Sequence, residues 1–368
     1  MRLVIEHPDT KVDEPEALLH AVLLHCGNDI PLRQTVGILA ESGGIDISHV
    51  TLHRKMKRVG PLLQEIVGRM AQGRADYDVE QWGGYEPVIV DGSVVVSPGA
   101  TGAGGRLHVG LRLADLCVTQ ALVTTTDEGE TLKRFSWAPG QLAIGDRGYA
   151  NPVGLASVVM QGADVLVRVN RGALPLVDVD GMPIDLLAWV RGHKGRGIHS
   201  MTATAISENA EVEGRLLATR LPADKRKQAR KRARKEFGDD PVALALSEWL
   251  LLFTTAPRSR LDDKQAVALY RLRWQVELLY KRWKSLCHLD RLPNYRPDTL
   301  VAWLSAKLLL LLCAEAIAQP AARGLSPPGR TRKKKTRSRQ AHARSSAVEA
   351  HVLALAGHHR RLDACNAA

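Results

Sequence analysis

Residues 269–286 read LYRLRWQVELLYKRWKSL, and this stretch is the most informative part of the chain. It contains Tyr270, Arg273, Glu277 and Lys284, at successive spacings of three, four and seven residues. In an α-helix these positions share a stripe about 60° wide, so one face carries a tyrosine, two cations and a carboxylate. An acid between two bases suits a metal-bound, anionic substrate better than it suits a hydrophobic core.

Two aspartates elsewhere have the local setting of metal ligands. Asp91 follows the apolar run 88–90 and precedes Gly92, so we expect it at the end of a buried strand, beside a tight turn. Asp146 follows the apolar run 142–145 in the same way. Either aspartate taken alone is more often an ordinary turn residue. The two aspartates therefore indicate a metal site only in combination with the helix that carries Glu277.

Three carboxylates gathered from two strand ends and one helix repel one another, and divalent cations offset that repulsion most easily. Oxygen ligands select Mg²⁺ or Mn²⁺ over zinc. Two such ions about 3.5 to 4 Å apart can activate a water or a 3′-hydroxyl and stabilise the leaving oxygen at phosphorus. Asp91, Asp146 and Glu277 therefore predict phosphodiester chemistry without a covalent protein intermediate.

The pattern Tyr-x2-Arg-x3-Glu-x6-Lys resembles the signature of bacterial DDE transposases of the insertion-sequence-four group. The run Asp91-Gly92-Ser93 resembles the segment of their first acid, with serine for the commoner threonine, and Asp146-Arg147-Gly148-Tyr149 resembles that of the second. The resemblance covers about residues 30–315. It implies an α/β fold: a ribonuclease-H-like catalytic core, interrupted by a β-rich insertion and preceded by a helical DNA-binding domain.

The resemblance also implies a role for each candidate residue. The metal ligands for two Mg²⁺ ions, or Mn²⁺ as a substitute, are Asp91, Asp146 and Glu277. The candidate DNA and phosphate contacts are Tyr270, Arg273, Lys284, Arg147 and Lys281. Trp189, in the insertion, is the candidate for stacking on a flipped base, although tryptophan is more often a core residue.

The implied activity is cut-and-paste movement of an insertion sequence by a homodimer that binds the inverted repeats of the element and target DNA. Two alternatives stay open: a nuclease of the same fold without strand transfer, and a non-catalytic DNA-binding remnant. The presence of all three acids disfavours the remnant. A surface helix with ion pairs from Arg273 to Glu277 and from Glu277 to Lys281 leaves Asp91 and Asp146 unexplained.

Charge and composition agree with a nucleic-acid partner in the cytoplasm, at the nucleoid. The 368 residues carry a net charge of +12, and two runs, 225–235 and 330–339, hold eight and seven basic residues without an acid. Such runs contact phosphates or form solvated surfaces. Five scattered cysteines fit a reducing compartment. No secretory signal precedes the first helix, and the apolar run Leu308–Leu312 predicts a core helix, not a membrane span.

We divide the chain into five predicted segments. They are a helical domain (1–82), the first half of the catalytic core (83–170), a β-rich insertion ending in a basic run (171–240), the second half of the core (241–320) and a basic, flexible tail (321–368). In the first segment, helices are expected at Leu32–Leu39 and His49–Val59, the second capped by Ser48. A helix-turn-helix and a helical bundle with a basic face both fit this pattern.

Overall fold

The computed structural model describes residues 15–43, 45–71, 82–96, 104–193, 197–290 and 297–324. Their helices are α1 (Pro15–Val22), α2 (Leu32–Gly43), α3 (His49–Ala71), α4 (Pro152–Val159), α5 (Leu186–Gly192), α6 (Ala223–Phe237), α7 (Pro241–Leu246), α8 (Asp263–Tyr270), α9 (Trp274–Cys287) and α10 (Pro297–Gly324). Their strands are β1 (Glu86–Val96), β2 (Gly104–Arg112), β3 (Cys117–Thr125), β4 (Gln141–Gly145), β5 (Asp164–Arg168), β6 (Leu176–Val177), β7 (Ile198–Ser207), β8 (Ala210–Arg220) and β9 (Trp249–Thr254).

Within the described residues the strands form one mixed sheet, in the order β3-β2-β1-β4-β5-β9-β8-β7-β6. The first three strands are antiparallel neighbours, whereas β4 and β5 run parallel to β1. Strand β9 pairs antiparallel with both β5 and β8. The strands of the segment predicted as a β-rich insertion therefore extend the central sheet.

Helices cover both faces of this sheet, because its strands carry apolar side chains on both sides. In β1, Ile89 belongs to one buried cluster, and Val88 and Val90 belong to the other, as the alternation of a strand requires. Helices α1 to α3 and α8 to α10 pack in the first cluster, and α4, α5 and α7 pack in the second. The result is a layered α/β structure.

Helix α10 lies in the first layer, where it packs against α3 and the strands β2 and β3. Its stretch Thr299–Ile317 is long and apolar enough to cross a membrane, but 72% of the apolar window is buried inside the protein. Leu308 and Leu311 are both buried. The predicted core helix is therefore confirmed.

The helices predicted before the sheet are also present. The segment Leu32–Leu39 lies in α2, and α3 begins at His49, where the Thr51 amide donates to the hydroxyl of Ser48 at 3.1 Å. Helix α3 continues through Pro61 to Ala71, well beyond the predicted end. Because α3 packs on α10, the helices before the sheet share the core of the sheet.

The prediction that Asp91 ends a strand is wrong. The sequence suggested separate strands at Val88–Val90 and Val94–Val96, but β1 runs through both without a break. Asp91 pairs with Val109 and Gly92 with His108, so the ladder to β2 carries the backbone straight through the glycine. The glycine-rich connection after β1 lies, over residues 97–103, outside the described residues.

The predicted tail begins inside α10, which extends to Gly324, and residues 325–368 lie outside the described residues. The basic run 225–235 lies on α6. The five segment boundaries stay predictions.

An ion pair between a buried lysine and a partly exposed aspartate joins the turn before α2 to α10. The Lys307 side chain is 1% exposed, and its Nζ lies 2.8 Å from Asp29 Oδ2. We expect Asp29→Asn to lower the free energy of unfolding by about 1 to 3 kcal/mol, because it leaves a buried ammonium without its anion. Asparagine tolerates the positive φ of 57° at this position, so the change isolates the charge. Denaturant unfolding measures the loss, and Asp46→Asn on the exposed surface should cost less than about 0.5 kcal/mol.

Candidate active site

Asp91 and Asp146 lie at the same level of two neighbouring strands. In the parallel pair β1 and β4, Ile89 is opposite Ile144, and each acid follows two residues later. Neighbouring strands lie about 4.8 Å apart, so the sheet register alone makes the two acids neighbours. Strand β4 ends just before Asp146, as the sequence predicts.

The backbone after β4 fixes the second acid. Asp146 caps a 3₁₀ turn at Arg147–Tyr149, and its Oδ1 accepts a hydrogen bond from the Gly148 amide at 2.9 Å. The Arg147 carbonyl accepts a hydrogen bond from the side-chain amide of Asn170, Nδ2, at 3.3 Å. Arg147 Nε is buried without a partner among the described residues. The turn that Asp146 caps therefore fixes the position of its carboxylate, and Arg147 is the next residue in the chain.

Helix α9 places the third acid opposite the first. A cleft of about 640 Å³ separates them; it is lined by Asp91, Gly92, Ser93, Glu277, Tyr280, Lys281, Lys284, Ser285, His288 and Asp290. The cleft thus unites Asp91 with Glu277 and with both predicted lysines. The Glu277 side chain is 56% exposed and forms an ion pair with Arg273.

Tyr280 fixes the position of α9 on the sheet, and the sequence analysis did not identify it. Its buried hydroxyl lies 2.9 Å from the Asp91 carbonyl and 3.0 Å from the Leu107 carbonyl, so its one proton is shared between the backbones of β1 and β2. Tyr280 follows Glu277 by three residues, on the same face of the helix. The hydrogen bond therefore holds this part of α9 against the strand that carries Asp91.

Tyr270, Arg273 and Glu277 do not lie on one continuous α-helix. Helix α8 ends at Tyr270, residues Arg271–Arg273 form a 3₁₀ turn, and α9 begins at Trp274. The prediction of an unbroken helix is therefore wrong, because a 3₁₀ turn winds about 120° per residue. The predicted neighbourhood is nevertheless present: the buried Tyr270 side chain is hydrogen-bonded to Arg273, which in turn pairs with Glu277.

Trp189 lies away from the acids. It is half-buried on α5, packs against the second cluster and stacks edge-on with His193 at 5.5 Å between ring centroids. The structure does not bring it to the cleft.

Negative charge accumulates around Asp91 and Asp146. Burial, together with the carboxylates of Asp146 and Glu130, raises the pKa of Asp91 to about 7, although Arg273 and the Gly92 amide act in the opposite direction. Burial likewise raises the pKa of Glu130, an acid that the sequence analysis did not single out. The Arg273 guanidinium faces Asp91 and is 18% exposed.

The donor set suits a hard divalent cation. Its members are carboxylates. Burial first, and then the neighbouring carboxylates, raise the pKa of Asp91, and a bound cation would favour the charged form against both effects. Among the described residues no three acids, histidines or cysteines converge closely enough to enclose an ion. Glu277 turns instead to Arg273, so a metal at this site would compete with that arginine for the carboxylate.

Removing the Tyr280 hydroxyl should loosen α9. We expect Tyr280→Phe to lower the free energy of unfolding by about 1 to 2 kcal/mol, because two buried carbonyls lose a donor. The control is Tyr149→Phe, since the buried Tyr149 hydroxyl has no hydrogen-bond partner among the described residues. Equal losses in the two variants, measured by denaturant unfolding, would contradict the proposed anchoring.

Asp91 should make the metal-free protein less stable as the pH rises. Its folded-state pKa of about 7 lies above the ordinary aspartate value of 3.8, so the folded state retains a proton that the unfolded state releases between these pH values. With a chelator present, the Asp91→Asn variant should therefore have a Tm several degrees above that of the parent protein at pH 8 and about the same Tm at pH 4. Thermal melts at both pH values test this, with exposed Asp180→Asn as the control.

Comparison with known proteins agrees with this geometry. Residues 82–313 match the family described as "Transposase DDE domain". The chain is 32% identical over 243 residues to the transposase for insertion sequence element IS421 of Escherichia coli, a match that covers 63% of this chain and 66% of that relative, just under two thirds.

More distant relatives match in the same way. The transposase for insertion sequence element IS231E of Bacillus thuringiensis subsp. finitimus is 23% identical over 203 residues, which is 49% of this chain and 42% of the relative. The transposase for IS231F of Bacillus thuringiensis subsp. israelensis is 29% identical over 118 residues, 30% of this chain and 25% of the relative. Since the family match spans more than half of the sequence, the chain belongs to the transposase DDE domain family.

Proposed function

We propose that this protein is a DNA transposase that moves an insertion sequence by cut-and-paste transposition. It would hydrolyse phosphodiester bonds at the element ends in a Mg²⁺-dependent reaction and join the released 3′-hydroxyl to target DNA. The observation that carries the proposal is the placement of Asp91 beside Asp146 on parallel strands, with Glu277, Lys281 and Lys284 lining the same cleft as Asp91.

The carboxylates of Asp91, Asp146 and Glu277 are the proposed metal ligands. Two Mg²⁺ ions, or Mn²⁺ in their place, would supply activation of the attacking oxygen and stabilisation of the leaving oxygen. The protein positions the reactants: β1 and β4 hold two ligands in fixed register, and α9 delivers the third. The Glu277 carboxylate would bind the ion in place of Arg273, and the Arg273 guanidinium could then contact a phosphate.

The proposed phosphate contacts surround these acids. Lys281 and Lys284 lie on the cleft face of α9 as point charges, and Arg273 offers a bidentate fork at its start. Tyr270 would act by holding Arg273, because it is buried. Arg147, which follows Asp146 in the chain, is the remaining candidate for a phosphate contact.

The strand order supports a ribonuclease-H-like core. Three antiparallel strands followed by two strands parallel to the first, with helices on both faces, agree with such a core. Together with the signature on α8 and α9, this supports assignment to the insertion-sequence-four group.

Basic surfaces outside the cleft support double-stranded DNA as the partner. Helix α6 carries the exposed residues Lys227, Lys231 and Lys235, and α3 carries exposed Arg54 and Arg58. On contact with DNA these cations would release counterions from its phosphates, and this release would raise the affinity of the protein for DNA. We further propose that a homodimer acts on paired inverted repeats in the cytoplasm, at the nucleoid, and that Trp189 stacks on a flipped base.

The experiment uses the full-length protein and a duplex made from the DNA that flanks its coding region. We expect Glu277→Gln to reduce Mg²⁺-dependent cleavage at least about 10³-fold, because a metal ligand is lost, while binding of the duplex changes less than about threefold. The matched control is Glu65→Gln, which removes the acid of another Arg–Glu pair one helical turn apart, on α3.

Cleavage and joining separate the candidate functions. Joined products containing target DNA identify a transposase, whereas cleavage alone identifies a nuclease of the same fold. Equal cleavage by the parent and Glu277→Gln would refute the assignment of the active site. Binding without cleavage by the parent protein would indicate the non-catalytic remnant.

A further inference from the structure

The loop between β3 and β4 carries an acid, Glu130, to the part of the sheet where Asp91 and Asp146 lie. Arginines hold this loop mainly through other groups. Arg106 Nη1 donates to the Glu128 carbonyl at 3.3 Å, and Arg134 binds the Glu128 carboxylate at 2.6 Å and the Gly129 carbonyl at 3.1 Å. The hydrogen bonds that hold the loop therefore do not involve the Glu130 carboxylate.

The Glu130 carboxylate occupies space that two glycines leave open. A Cβ atom on Gly92 would lie 2.7 Å from Glu130 Oε1, and a Cβ atom on Gly148 would lie 2.1 Å from Glu130 Oε2. Both distances are shorter than real Cβ contacts. Gly92 directly follows Asp91, and Gly148 donates its amide to Asp146. One carboxylate thus bridges the backbone beside both aspartates.

This carboxylate has no close counterion. Its nearest cation is Arg106, with Nη1 4.0 Å from Oε1, at the outer limit of an ion pair. Among the described residues no donor lies within hydrogen-bonding distance of its oxygens, and the Glu130 side chain is only 25% exposed. A half-buried carboxylate held beside two others gains most from a shared divalent cation.

We propose that Glu130 supplies a fourth carboxylate to the divalent-cation site formed by Asp91 and Asp146, and that Gly92 and Gly148 are required to admit it. The inference rests on the proposed function, because it adds a ligand to the same site. It also assigns a role to the glycine after each aspartate: the absent side chain makes room for an oxygen ligand contributed by another loop.

Binding of Mn²⁺, followed by isothermal titration calorimetry on the full-length protein without DNA, tests the proposal. We expect Glu130→Gln to weaken Mn²⁺ binding at least about tenfold. The matched control is Glu128→Gln, which removes a carboxylate two residues away that binds Arg134, and it should change the affinity less than about twofold.

Gly92→Ala tests the same idea without altering Glu130. The three atoms nearest to the added methyl all belong to the flexible Glu130 side chain, so the fold tolerates the change while the carboxylate moves away; Gly148→Ala is less selective, because its methyl would also lie 3.3 Å from Asp146 Oδ1. We expect about the same tenfold loss as in Glu130→Gln, and no further loss in the double variant, because both changes remove one interaction.

Unchanged Mn²⁺ affinity in Glu130→Gln would overturn the proposal, as would equal weakening by Glu128→Gln, which would point to loop order instead. Asp146→Asn distinguishes the two levels of inference. If this variant loses Mn²⁺ and Glu130→Gln does not, only the fourth ligand is refuted. If Asp146→Asn binds Mn²⁺ like the parent, the proposed catalytic site itself fails.

Discussion

The contact between the Tyr280 hydroxyl and the backbone of β1 determines the geometry of the candidate active site. Asp91 and Asp146 are neighbours through sheet register alone, but Glu277 comes from a helix far along the chain. The hydrogen bond from Tyr280 to the Asp91 carbonyl joins that helix to the strand beside the acid itself. Glu315 supports the same helix, because its buried carboxylate accepts from Arg282 and Trp283 and thereby ties α9 to α10.

Much of this arrangement could be predicted from the sequence. The apolar runs 88–90 and 142–145 predicted strands that lie within β1 and β4, the cap at Ser48 predicted the start of α3, and the buried helix at Leu308–Leu312 is confirmed. These features depend on neighbouring residues, so local patterns report them. The resemblance to DDE transposases is confirmed, since the match to the transposase DDE domain family covers 82–313, whereas the assignment to the insertion-sequence-four group stays a prediction.

The errors and omissions depend on contacts between distant residues. Gly92 suggested a turn, but pairing with His108 keeps β1 extended. The 3₁₀ turn before α9 has no obvious sequence mark, and it interrupts the predicted helix between Tyr270 and Glu277. Glu130 stands in a loop without periodicity, and only the folded chain brings it over Gly148. Tyr280 could have been suspected from its spacing to Glu277, but its partners are backbone atoms, which carry no residue identity.

The continuity of the sheet from β3 to β6 has a mechanical consequence. Each strand between these edges is hydrogen-bonded on both sides, so within the described residues the backbone offers no hinge between the strand that holds Asp91 and those that lead to α6. Bending such a platform would break ladder bonds, whereas duplex DNA bends at a cost of a few kcal/mol. A duplex that touched α6 and the cleft together would therefore be the partner that deforms, and its local stiffness would influence where the protein binds.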